Sequence, residues 1–68
     1  MKSKVKVSHV RIEILAQVMR ESPKAWLLDD GVTSKWVPRS LVERVPRDNS
    51  IYDMFNMPEW LAYQKGFI

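Results

Sequence analysis

Residues 24–37 read KAWLLDDGVTSKWV, and this stretch constrains the fold more than any other part of the chain. Residues 25–28 are a short apolar run, Asp29-Asp30-Gly31 is turn chemistry, and 33–37 resume an extended pattern. Aspartate and glycine tolerate positive φ, so D-G between two apolar runs predicts a tight hairpin. A hairpin commits the chain to an antiparallel sheet. The same spacing predicts that Trp26 and Trp36 face each other across the pair or along its diagonal.

The flanks extend this sheet. Every even position from 10 to 18 is apolar (Val10, Ile12, Ile14, Ala16, Val18), while the odd ones include His9, Arg11, Glu13 and Gln17. Such alternation, rich in β-branched residues, predicts a half-buried strand. A helix also fits Val7, Val10, Ile14, Leu15 and Val18. The branched residues and a turn at Ser22-Pro23 favour the strand. Val5 and Val7 fall out of phase, which predicts a bulge near Ser8-His9.

Downstream, Pro38 cannot donate to a ladder and restricts Val37, so it closes the hairpin strand. Arg39-Ser40 then turns the chain, LVERV adds a short edge strand, and PRDNS reads as a loop. Residues 51–57 fit either a strand or one helical turn begun at Ser50. A short helix ends the chain. Pro58 and Glu59 suit its first turn, Asn56 with Glu59 has capping-box spacing, and Lys65-Gly66 supplies a stop. Trp60, Leu61 and Tyr63 are its apolar content. Trp60 is expected in the core with part of its ring at the surface, and Phe67-Ile68 to fold back onto the core. The fold class predicted is α+β: a small antiparallel sheet of three or four strands with one short C-terminal helix.

With 68 residues, the chain is expected to form one small domain over 1–68, and such a chain buries only ~60% of its unfolded surface. Residues 1–8 are expected to be a flexible basic arm carrying Lys2, Lys4 and Lys6. The sequence has no cysteine and one histidine, His9. Disulfides, thiolate metal sites and a histidine-based zinc site are therefore excluded. No apolar run serves as a signal-peptide core or approaches a membrane span, so a cytoplasmic protein with no membrane partner is expected. The lack of cysteine fits a reducing compartment.

Catalytic patterns are missing too. Gly31 and Gly66 are the only glycines, so no phosphate-cradling loop exists, and no nucleophile elbow or metalloprotease motif is present. No partner is nominated to orient His9 as a base, and an exposed, solvated histidine is the expectation. Asp29-Asp30 lacks the spread of oxygen ligands that calcium needs and reads as a turn. A non-enzyme without cofactors is expected.

The remaining candidate is WVPRSLVERVPR, residues 36–47. As structure, Pro38 and Pro46 bracket an edge strand whose arginines keep it soluble. As function, Lys35, Trp36, Arg39, Arg44 and Arg47 form a basic surface beside an aromatic ring, suited to phosphate contacts and base stacking or to an acidic partner. Glu43 partly cancels that charge, and the structural reading is the stronger of the two.

The ordered combination W-V-P-R-S, then P-E-W-L-A-x-x-K-G-F-I, resembles small uncharacterised proteins encoded by bacteriophages and prophages. It covers most of the chain from about Val10 onward, leaving out the basic N-terminus and PRDNSIYD. The resemblance implies a short protein acting in the host-cell cytoplasm during infection, and it carries no functional residues across. Together these readings predict a non-catalytic protein-binding module that modulates a host factor, with self-pairing of a sheet edge into a homodimer as one mode. The alternative is a small basic nucleic-acid-binding domain, favoured by eleven Lys/Arg against eight Asp/Glu.

Overall fold

A computed structural model describes residues 10–68. The bulge expected at Ser8-His9, the exposure of His9 and the Lys2/Lys4/Lys6 arm lie outside these residues. The described chain runs β1 (Arg11–Glu21), β2 (Ala25–Asp29), β3 (Ser34–Pro38), a 3-10 turn (Arg39–Leu41), β4 (Glu43–Val45), β5 (Asp53–Pro58) and α1 (Glu59–Lys65). The strands form one antiparallel sheet in the order β3-β2-β1-β5-β4. The α+β class holds, but the sheet has five strands where three or four were expected.

The extra strand is the ambiguous segment before Pro58. In β5, Asp53, Phe55 and Met57 are buried while Met54 and Asn56 are half-buried. Period-2 burial is what a strand produces. The pattern is hard to read in sequence because an acid occupies an inward position and a methionine an outward one.

β1 is the long element that organises the sheet. Its first half, from Arg11 to Ala16, pairs with β5; its second half, from Gln17 to Glu21, pairs with β2. Ile14 and Ala16 are buried and Ile12 and Val18 pack against the core, as the alternation requires. The register shifts between Val18 and Arg20, and an extra residue there bends a strand and increases its twist.

The sheet curls strongly. Flat strands lie about 4.8 Å apart, so β2 and β4, three steps apart in this order, would be separated by roughly 14 Å. Yet the Arg44 guanidinium carbon of β4 sits 5.7 Å from the centre of the Trp26 ring of β2. Trp26 also meets Phe55 of β5 edge-on, with ring centres 5.7 Å apart. The concave face therefore closes on itself around Phe55, Leu28, Met57 and Val37, the largest fully buried side chains.

Local chemistry fixes the hairpin and the helix end. Asp29 Oδ1 accepts from Gly31 N at 2.6 Å and its Oδ2 from Ser34 Oγ at 2.6 Å; Asp30 Oδ1 accepts from Val32 N and Thr33 N. Both carboxylates thus organise the loop 30–33, the turn role expected of them. The Ser34 hydroxyl first, and the Gly31 N–H second, hold the Asp29 carboxyl below its ordinary value. At the other end, Gly66 is left-handed (φ 83°), Phe67 N donates to Ala62 O at 2.9 Å and Gly66 N to Tyr63 O at 3.1 Å. This is a Schellman stop. It turns Phe67 into the core while Ile68 stays exposed. Thr33 Oγ1 donates to Gly66 O at 3.4 Å, tying the helix end to the hairpin loop.

Three expectations need correcting. Trp26 pairs with Val37 and Trp36 with Leu27, so the two tryptophans are one position out of step and project to opposite faces. Asn56 is no helix cap: it lies in β5, where its side-chain oxygen accepts from Arg11 Nε. α1 instead follows the strand directly, with extended Pro58 at its start and Glu59 N donating to Val10 O at 3.0 Å. Trp60 shows at the surface and stands among the exposed residues rather than in the core. It is 42% exposed, and the inward side of α1 belongs to Leu61 and Ala62.

Candidate functional site

Two arginines of WVPRSLVERVPR, Arg39 and Arg44, are brought together, but around Trp26 and not Trp36. Pro38 ends β3 and the 3-10 turn starts immediately, so Arg39 leaves the sheet beside the 22–24 turn. Its backbone N donates to Lys24 O at 2.8 Å. From there its guanidinium carbon lies 4.9 Å from the Trp26 ring centre, and Nη2 reaches Glu21 Oε1 at 2.9 Å. Arg44 comes from the opposite side. It stands across from Phe55 on the concave face, lies over both Trp26 and Phe55, and donates from Nε to Asp53 Oδ2 at 2.7 Å.

The result is an indole clasped by two guanidinium groups, each neutralised by its own carboxylate. Cation–π contact and charge pairing both favour this arrangement. Asp53 is buried, opposite the small Ala16, which leaves room for an inward acid. Its Oδ1 also accepts from Arg47 N at 3.4 Å. Trp26 Nε1 and Arg39 Nε are both shielded from solvent without a hydrogen-bond partner among the described residues. The clasp thus gains stacking at the cost of two unsatisfied donors.

Of the five residues expected to form one surface, Arg39 and Arg44 converge, and Arg47 is joined to them through its backbone. Lys35 and Trp36 sit apart on edge strand β3. Trp36 is 42% exposed and shares the convex face with its partner Leu27. By register, Lys35 and Arg44 lie on the face opposite Trp36, and Arg39 stacks on Trp26, so these three do not share a surface with the Trp36 ring.

Beside the clasp, Pro23, Lys24, Pro38, Arg39 and Ser40 line an open recess of about 430 Å³. A second recess, of about 260 Å³, lies against α1 and is lined by Glu59, Trp60, Tyr63 and Ile68. Three of its four walls are exposed apolar or aromatic side chains: Trp60, Tyr63 (74% exposed) and Ile68. Tyr63 follows Trp60 by three positions, the spacing that puts two side chains side by side on a helix.

Sequence reasoning missed both the centre of the clasp and the α1 recess. The signals existed: an acid, Asp53, inside an apolar run, and Trp60 three residues before a tyrosine. Among the described residues, no group of three or more histidine, cysteine or acidic side chains is placed to hold a metal ion. None of the described helices is long and apolar enough to cross a membrane. Compared with protein-family models, curated proteins and solved structures, the chain matches none.

Proposed function

We propose that this chain is a non-catalytic protein-binding module whose docking face includes the Trp60–Tyr63–Ile68 recess. The observation that carries the reading is the exposure of three large apolar side chains in one concavity, in a domain too small to spare them from its core. Aromatic anchors in a recess are the usual centres of binding energy in protein interfaces. The resemblance to phage and prophage proteins adds the setting: a cytoplasmic role in an infected host, modulating a host factor.

The clasp weighs against the nucleic-acid alternative. Arg39 and Arg44 are each paired with a carboxylate, so they bring little net positive charge to a phosphate backbone. Lys35 and Arg47 form no ion pair among the described residues, and that alternative rests on them together with Lys2, Lys4 and Lys6 of the basic N-terminal sequence.

Two assays separate the readings. Affinity capture from host lysate is expected to enrich a saturable protein ligand, and Tyr63→Ala is expected to abolish the enrichment. Fluorescence anisotropy with labelled DNA and RNA is expected to give weak binding that disappears near physiological salt. Binding that survives that salt and falls in a Lys35→Ala/Arg47→Ala variant, with no protein enriched, would replace the first reading with the second.

A further inference from the structure

The α1 recess has a chemical asymmetry that narrows its ligand. Its apolar walls are Trp60, Tyr63 and Ile68, and its polar wall is Glu59. Glu59 makes no side-chain hydrogen bond or ion pair among the described residues, although Arg11, Arg39 and Arg44 all find acceptors elsewhere. Among the described residues, no basic side chain lines the concavity. Two aromatic rings with electron-rich faces and one carboxylate that no described residue pairs make a site complementary to a cation carried on an apolar stem.

We infer that the recess receives an arginine or lysine side chain flanked by apolar residues, from an extended segment of a protein partner. The cation would lie over Trp60 or Tyr63 and be neutralised by Glu59, while its neighbours cover Ile68. Arginine suits this best, because a planar guanidinium both stacks on an indole and forks onto a carboxylate. The protein uses the same chemistry internally, where Arg44 lies over Trp26 and Phe55 and pairs with Asp53. Elsewhere a carboxylate and two rings hold an arginine of this chain; at α1 a carboxylate and two rings stand without one among the described residues.

This inference rests on the reading of the recess as a protein-docking face, and the test keeps the two apart. The probes are acetyl-Leu-Arg-Leu-amide and its citrulline counterpart, which keeps the shape and removes the charge. Each is titrated into the full chain while amide and indole resonances of residues 59–68 are followed by NMR. The arginine peptide is expected to shift these resonances and to bind about fivefold more tightly than the citrulline peptide. Glu59→Gln should reduce that preference by about half or more. Tyr63→Ala, at a position 74% exposed and so without consequence for folding, should abolish the shifts.

Equal binding of the two peptides would overturn the cation preference and leave an apolar docking face in place. Shifts that map to Lys35, Arg47 or the clasp instead of α1 would overturn the assignment of the site. So would the absence of shifts with either peptide, in which case the docking reading stands or falls on its capture assay.

Discussion

Removing the carboxylate of Asp53 is the most informative single perturbation of the clasp. Asp53 has a side chain only 12% exposed and bonds Arg44 Nε at 2.7 Å, while Arg44 is 38% exposed. A hydrogen bond to a charged group contributes about 1.5–3 kcal/mol when shielded. A fully exposed pair contributes about 0–1 kcal/mol. Here one partner is buried and the other can regain water, so Asp53→Ala is expected to cost about 1–2 kcal/mol. A domain of this size has a total stability of about 3–5 kcal/mol. The melting temperature should then fall by roughly 5–15 °C.

The assay is urea and thermal unfolding followed by tryptophan fluorescence and near-ultraviolet circular dichroism, run as a double-mutant cycle with Arg44→Leu. A coupling energy of about 1 kcal/mol or more is expected, because either single change removes the pair. Asp53→Asn, which keeps the shape and an acceptor oxygen, should fall between wild type and alanine. Additivity of the two single changes to within about 0.5 kcal/mol would refute the reasoning, since that is how independent sites behave. The clasp would then be two solvent-screened arginines that happen to lie near a ring.

Gly66→Ala should destabilise by about 1–2 kcal/mol from backbone strain alone. An added Cβ would meet only Thr33 Cγ2 at 3.9 Å, and Gly66→Asn should cost less; an unchanged melting temperature for the alanine variant would remove the Schellman stop from the account. Trp26→Ala should cost about 3–5 kcal/mol, against little for Trp36→Ser on the convex face; the reverse order would overturn the hairpin register. Asp29 supplies a pH dependence. Its folded pKa lies below the ordinary 3.8, so its contribution to stability is present above that value and lost as pH falls through the lower, folded one. Asp29→Asn should flatten that part of the acid limb in pH-dependent unfolding, and an unaltered limb would show that the Ser34 and Gly31 bonds do not persist in solution.

The elements legible in the sequence are those specified by neighbours along the chain. Asp29, Asp30 and Gly31 make a loop from their own side chains and backbone. Pro38 ends a strand because it has no N–H, and Gly66 ends a helix because it accepts positive φ. The alternation from Val10 to Val18 gives β1 because one face must leave water. None of these needs a distant partner.

Tertiary structure decided what depends on parity and on pairing across the sheet. Joining β2 to β3 through four loop residues, 30–33, puts Asp29 opposite Ser34. That odd offset sends Trp26 inward and Trp36 outward, and a slip of β3 by one residue would have put Trp36 opposite Trp26 on the same face. Residues 53–58 became a strand because β1 and β4 each had an open edge beside them, which outweighed a weak local pattern. Two arginines of WVPRSLVERVPR, Arg39 and Arg44, acquired their acids, Glu21 and Asp53, only when distant segments of the chain came together in the sheet. Trp60 was left exposed because Leu61 and Ala62 already filled the space beneath a helix of seven residues. Local torsional and hydrogen-bonding preferences act over a few residues and can be read directly. Burial and charge pairing are settled by which surfaces meet, and that is a property of the folded chain.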